Sequence, residues 1–130
     1  MAQASATQEE GLSLALGSLE SLHWAGIVLS TVTGVIHLVL AVLFVPEAMG
    51  IAFLVAGLGY GLGVAAVLLD YRRRLFYLLG IPFTLGQIVL WYVVNAEKIN
   101  AGNPGTMGIV DKVAQVLLVV VLVVLYRRSA

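Results

Sequence analysis

The hydrophobic positions of this chain fall into four long runs, 22–44, 49–69, 75–94 and 108–126, separated by short polar stretches. Runs of about 20 apolar residues rise roughly 30 Å as an α-helix, the thickness of the hydrocarbon core of a bilayer. The pattern predicts an all-α fold, a four-helix antiparallel transmembrane bundle over residues 22–128. Ahead of it, residues 1–21 form a tail in which Leu12, Leu16 and Leu19 share one helical face. A short amphipathic helix lying on the membrane surface and a partly ordered tail both fit that spacing.

Within the runs, local chemistry marks ends and contacts. Trp24 suits a headgroup region, and Pro46-Glu47 breaks the first run where a second helix starts. In the second run Gly57, Gly61 and Ala65 lie on one face, and Gly59 and Gly63 nearly opposite. Small residues let membrane helices approach closely, so two small faces predict a helix between two neighbours. Pro82 predicts a kink in the third helix. The stretch 95–105, rich in Asn and Gly, reads as an exposed loop.

Composition agrees with lipid as the solvent. The 130 residues are 61% hydrophobic and 11% charged, against roughly a quarter charged in soluble domains. Formal net charge is zero, so nothing favours nucleic acid as a partner. There is no cysteine, which excludes disulfides, thiolate nucleophiles and Cys-ligated metals. The N-terminal stretch lacks the basic start of a signal peptide and carries Glu9, Glu10 and Glu20 instead.

Position of charge orients the spans. Five of the seven Lys and Arg residues, Arg72, Arg73, Arg74, Arg127 and Arg128, fall in the central loop and at the C-terminus. Lys98 and Lys112 are assigned to the other side. Positive residues near span ends stay cytoplasmic, which predicts a multi-pass protein of the cell membrane with both termini inside. These arginines form a basic cluster facing lipid headgroups, each adding about 1 kcal/mol of attraction to an anionic surface.

A resemblance runs through His23-Trp24 to Leu40, Gly50 to Arg74, Gly80-Ile81-Pro82-Phe83-Thr84 to Asn95, and Asp111-Lys112 to Arg128. These blocks resemble an uncharacterised family of small four-span membrane proteins of halophilic archaea. The resemblance implies a cytoplasmic-membrane location in a halophile. It implies no catalytic residue, because the family has no assigned activity.

Polar residues inside apolar spans are the candidates for chemistry, since they are costly in lipid. His37 lies seven residues from the end of its run, on a face shared with Gly26, Ser30, Thr33, Gly34 and Ala41. Gln87 and Gln115 lie at similar depth in the third and fourth runs, and Tyr60 reaches toward that layer from the second. We expect a polar cluster of His37, Gln87, Gln115 and Tyr60, with Glu47 and Asp111 at its outer rim. Gly34, Gly57, Gly59, Gly61 and Gly63 are the expected helix-packing positions. Two uses are open. Interhelical Gln and His hydrogen bonds contribute about 0.6–2 kcal/mol each as glue. A histidine could instead serve proton-coupled movement of a small solute.

His23 and His37 sit roughly 21 Å apart along one helix and cannot grip one haem together. A haem shared across a dimer would be the remaining cofactor reading; none is expected, and no metal. No phosphate loop, metal-binding His pair or nucleophile triad occurs, so no enzyme activity is expected. The expected function is a non-catalytic packing, accessory or self-assembling membrane subunit. Its partners are the bilayer and either further copies of itself or a membrane-protein complex. The alternative is a small transporter or channel with a polar site around His37.

Overall fold

A computed structural model describes residues 16–129. A single turn of 3-10 helix, Leu16–Ser18, precedes four α-helices: α1 (Ser21–Phe44), α2 (Ala48–Leu68), α3 (Arg73–Asn100) and α4 (Thr106–Arg128). The N-terminal amphipathic segment lies largely outside the described residues. Short connections make consecutive helices antiparallel. Both ends of the described chain therefore share one end of the bundle with Arg72–Arg74, called here the arginine end. The α1–α2 and α3–α4 connections form the far end.

The bundle is turned inside out relative to a soluble one. Its outer surface carries the large apolar side chains: Val42 is 82% exposed and Val93 66%. Its interior is rich in small and polar ones: Thr33, Thr84 and Gln115 are completely buried, alongside Ala41, Ala56 and Ala114, with Tyr77, Leu118 and Leu125 as large side chains among them. Water is a poor solvent for such a surface and lipid a good one. All four helices are long and apolar enough to cross a membrane.

Packing is uneven. Helix α1 packs closely on α2, and α4 packs on α1 and α3, whereas α2 and α3 touch only sparsely. The glycines show why. A Cβ at Gly57 would come within 2.6 Å of Leu38 on α1, and one at Gly34 within 3.2 Å of Tyr60 on α2. The close α1–α2 approach thus needs both glycines. On the other face of α2, Gly59 lies under the Phe83 ring, at 2.6 Å from a would-be Cβ, but Gly63 meets nothing within 4 Å, and neither does Gly61 on the Gly57 face. Helix α2 has one full neighbour and one partial one, not the two close neighbours its glycines predicted. Between α2 and α3, toward the arginine end, an apolar gap of about 360 Å³ remains.

The ends of the helices differ from expectation at two places. Helix α3 does not stop at Val94. Asn95 leaves helical geometry (φ −110°, ψ 16°), and its side-chain Nδ2 donates to the Trp91 carbonyl at 2.9 Å. That bond supports a carbonyl freed by the break, so the helix bends and continues to Asn100. The departure from helical dihedrals falls at Asn95, not at Pro82. Gly102 at φ +80° then ends α3: its N–H reaches Ile99 O, and the Asn103 N–H reaches Lys98 O, the paired closure of a glycine-stopped helix.

Helix α2 closes in the same way with Asp70 in the left-handed position (φ 52°): Tyr71 N–H donates to Ala66 O. Arg73 reinforces this end. Its guanidinium donates to Val67 O at 2.7 and 2.9 Å, to Ser18 Oγ at 2.8 Å, and pairs with Asp70 at 3.3 Å. Arg73 is therefore a helix cap folded against protein, not a lipid-facing cation. Arg128 pairs with Glu20 at 2.6 Å, tying the C-terminal end of α4 to the start of α1. Arg74 stacks over Tyr126 at 4.2 Å and Arg72 lies 5.6 Å from the Tyr71 ring. Of the predicted basic cluster, Arg72, Arg74, Arg127 and Arg128 remain exposed at this end.

Candidate functional site

The four helices each contribute to one buried polar network in the far half of the bundle. Helix α1 supplies Thr33 and His37, one turn apart. Helix α2 supplies Tyr60, and α3 supplies Thr84 and Gln87 from the same face. Helix α4 supplies Asp111, Lys112 and Gln115. Spacings of three and four residues keep each set on one helical face.

The network is continuous from α4 outward. Lys112 Nζ donates to Asp111 Oδ2 at 2.6 Å and to Gln115 Oε1 at 2.7 Å. Gln115 Nε2 donates to Gln87 Oε1 at 2.9 Å and to the Tyr60 hydroxyl at 3.2 Å. The Tyr60 hydroxyl lies 3.2 Å from Gln87 Oε1 and 3.1 Å from Thr84 Oγ1. On the other flank the Thr33 hydroxyl donates to Asp111 Oδ1. Both carboxylate oxygens of Asp111 are thus engaged.

The tautomer of His37 follows from its partner. Nδ1 lies 2.7 Å from the Thr33 carbonyl oxygen, which can only accept. The proton is therefore on Nδ1, and in the neutral ring Nε2 carries the lone pair. Nδ1 also lies 3.9 Å from Asp111 Oδ1. The ring packs edge-on to Phe53 at 5.9 Å and tilted to Tyr60 at 6.0 Å. His23, near the arginine end, has the opposite arrangement. Its Nδ1 accepts from the Glu20 backbone N–H at 3.0 Å, as part of the reciprocal cap that begins α1.

One face of the network lines a cavity of about 420 Å³ at the far end of the bundle. Its polar wall comprises His37, Gln87, Asn95, Asp111 and Lys112, with Trp91 beside them; Leu40, Phe44, Phe53 and Leu90 contribute apolar wall. Lys112 Nζ lies 5.6 Å from the Trp91 ring, a cation–π contact that fixes the ammonium at the cavity. Among the described residues no set of three His, Asp or Glu side chains converges as a metal site.

His37 and Gln87 line the same cavity without touching, linked through Thr33, Asp111, Lys112 and Gln115. Gln115, Gln87 and Tyr60 meet directly. Glu47 is exposed at the far end. Asp111, expected beside it at the rim, is instead buried to 4% exposure, and Lys112, assigned to the outer side, is buried to 9%. The reason is register: α4 begins at Thr106, which places Asp111 more than a turn inside the helix. Lys112 as a network member went unrecognised. The signal was present in Asp111, Lys112 and Gln115 at i, i+1 and i+4, a pair of opposite charges next to an amide at the head of an apolar run.

The fold and this interior define a small, four-helix, multi-pass membrane protein with a charged polar core. The chain belongs to the DUF7475 family, a family of unknown function, whose model matches residues 8–126. No curated protein and no solved structure matches it.

Proposed function

We propose that this is a non-catalytic membrane protein that admits a small polar solute to the buried network from the far end of the bundle. The observation that carries the reading is the Asp111–Lys112 ion pair at the wall of the 420 Å³ cavity. Glue between helices does not need charge, because neutral hydrogen bonds suffice for it. A Lys or Asp in a membrane helix costs up to about 2.5–3.5 kcal/mol on insertion scales, the full value at the helix centre and less toward an end, and a buried pair is seldom better for stability than apolar residues of the same volume. Charges kept at that cost beside a cavity of ligand-binding size support a binding role.

Orientation follows the charge bias in this reading. With Lys112 buried in the network, Lys98 is the one remaining cation of the far end, against five arginines at the other. Both termini then face the cytoplasm and the cavity opens outward. The test is flux of weak acids, amines and neutral amides in proteoliposomes of the wild type and of the Asp111→Asn/Lys112→Met double variant. Solute movement by the wild type alone, with both proteins folded, supports the reading. Equal behaviour of the two overturns it.

A packing or accessory role is the second reading, favoured by the gap between α2 and α3. A Cβ at Gly63 would meet nothing there, and Leu62, Phe76 and Leu79 line an opening wide enough for a side chain of another helix. A further copy of this chain or a partner membrane helix would complete the side of α2 that α3 leaves uncovered. Native mass spectrometry of mildly extracted protein tests it: a stable monomer without co-purifying chains counts against this role.

A further inference from the structure

We infer that the solute taken by the far cavity is a small monocarboxylate bound together with a proton, an inference that rests on the solute-binding reading above. The argument starts from donor direction. An ammonium has no acceptor, so Lys112 fixes Oε1 of Gln115 toward itself and Nε2 away from it. Gln115 Nε2 then fixes Oε1 of Gln87, which leaves Gln87 Nε2 as the end of the relay. That nitrogen is buried and has no hydrogen-bond partner among the described residues. Lys112 uses two of its three N–H groups within the network, on Asp111 and Gln115. Gln87 on α3 and Lys112 on α4 both line the cavity, and each keeps an unspent donor.

Across the cavity, on α1, His37 offers the opposite: an Nε2 lone pair, with Nδ1 spent on Thr33. Asp111 offers no equal acceptor, because Thr33 and Lys112 already engage its two oxygens. With a neutral His37 ring, charge sums to zero before binding, because the Asp111 carboxylate and the Lys112 ammonium pair with each other. An anion alone would leave a net negative site in a low-dielectric interior, which is unfavourable. A carboxylic acid HA resolves both requirements. Its carboxylate accepts from Gln87 Nε2 and Lys112 Nζ, and its proton passes to His37 Nε2. The resulting imidazolium faces Asp111 on α4 at 3.9 Å, with the Tyr60 ring on α2 at 6.0 Å and Lys112 on the far flank of the carboxylate. No bond other than that O–H is broken, and the cavity stays neutral overall. The apolar wall of Leu40, Phe44, Phe53 and Leu90 suits a short alkyl tail.

The test is calorimetric titration of the purified full chain in detergent with butyrate, butylammonium and butyramide, with proton uptake measured in buffers of different ionisation enthalpy. Butyrate should bind with uptake of close to one proton per anion. Gln87→Leu should weaken it about tenfold, the loss of one charge-assisted hydrogen bond. His37→Gln should abolish the proton uptake while the helical spectrum stays unchanged. Should Gln87→Leu fail to fold, Gln87→Glu, which puts an acceptor in place of the donor, provides the same comparison. Preferred binding of butylammonium or butyramide would overturn the carboxylate assignment and leave solute binding standing. Butyrate binding without proton uptake would overturn the role of His37. Absence of binding by all three at millimolar concentration would overturn both this inference and the reading it rests on.

Discussion

Lys112 Nζ sits 2.7 Å from Gln115 Oε1, and this contact between two neighbours on α4 sets the orientation of side chains on two other helices. Because the ammonium can only donate, the amides of Gln115 and Gln87 are locked in sequence, and the Tyr60 hydroxyl receives a donor from Gln115 at 3.2 Å. The charge of Lys112 is matched by Asp111, whose own neutral partner is Thr33 on α1. A pair of adjacent residues therefore ties α4 to its three neighbours.

Removing one charge should expose that dependence. Lys112→Met leaves Asp111 as a buried carboxylate without its cation, and breaking a buried pair from one side costs about 3–5 kcal/mol. The double variant Asp111→Asn/Lys112→Met removes both charges and should recover most of the loss. Reversible unfolding in mixed micelles, followed by helical circular dichroism, measures both. Equal stability of the single and double variants would show that Asp111 and Lys112 do not depend on each other.

Close backbone approach gives a second expectation, at the turn after α1. A Cβ on Gly50 would fall 2.4 Å from Val45 N and 2.5 Å from Phe44 C, backbone atoms that cannot rotate away. Gly50→Ala should destabilise the protein by about 1–3 kcal/mol, the usual cost of overpacking. Gly57→Ala meets the Leu38 side chain at 2.6 Å and the Gly34 carbonyl oxygen at 3.2 Å; its closest clash is with a side chain that can move, and it should cost less. The same unfolding measurement ranks the two, and the reverse order would contradict the tight α1–α2 turn.

How far the chain itself announces this structure depends on the kind of signal. The four helices were legible because each apolar run is long enough to stand alone as a span, and Pro46, Asp70 and Gly102 mark the breaks. The shared depth of His37, Gln87 and Gln115 was legible because antiparallel spans put equal distances from their ends at equal heights. The burial of Asp111 and Lys112 was not, because it depends on where α4 begins, and Thr106 directly follows a stretch whose composition reads as loop. The continuation of α3 past Val94 rests on one side-chain bond from Asn95 to the Trp91 carbonyl, which no periodicity encodes. The gap beside Gly63 was illegible for a similar reason. Spacing shows that a helix face is small, not whether a neighbour comes up to it.

Topology is directly testable because the chain has no cysteine. Single cysteines at Ser129, exposed at the arginine end, and at Asn103, exposed at the far end, should behave oppositely toward a membrane-impermeant thiol reagent on intact cells. Asn103→Cys should be labelled and Ser129→Cys protected until the membrane is opened. The opposite pattern would reverse the orientation read from the arginines, and would turn the 420 Å³ cavity toward the cytoplasm.

Gly63 separates the two readings of the α2–α3 gap. An added Cβ there meets nothing within 4 Å, so Gly63→Leu should fold as well as the wild type. Replacing a helical glycine should even add a few tenths of a kcal/mol, up to about 1 kcal/mol. If another helix seats in the gap, the leucine occupies its place, and the oligomer or complex should fall apart in native mass spectrometry while the monomer keeps its helical content and melting behaviour. If lipid fills the gap, the side chain displaces only an acyl tail, and the assembly state should not change. Because solute binding depends on the far cavity, butyrate affinity should survive Gly63→Leu in either case. Its loss would mean that the two cavities are coupled through Tyr60 and Thr84, the two residues of the network that also line the gap.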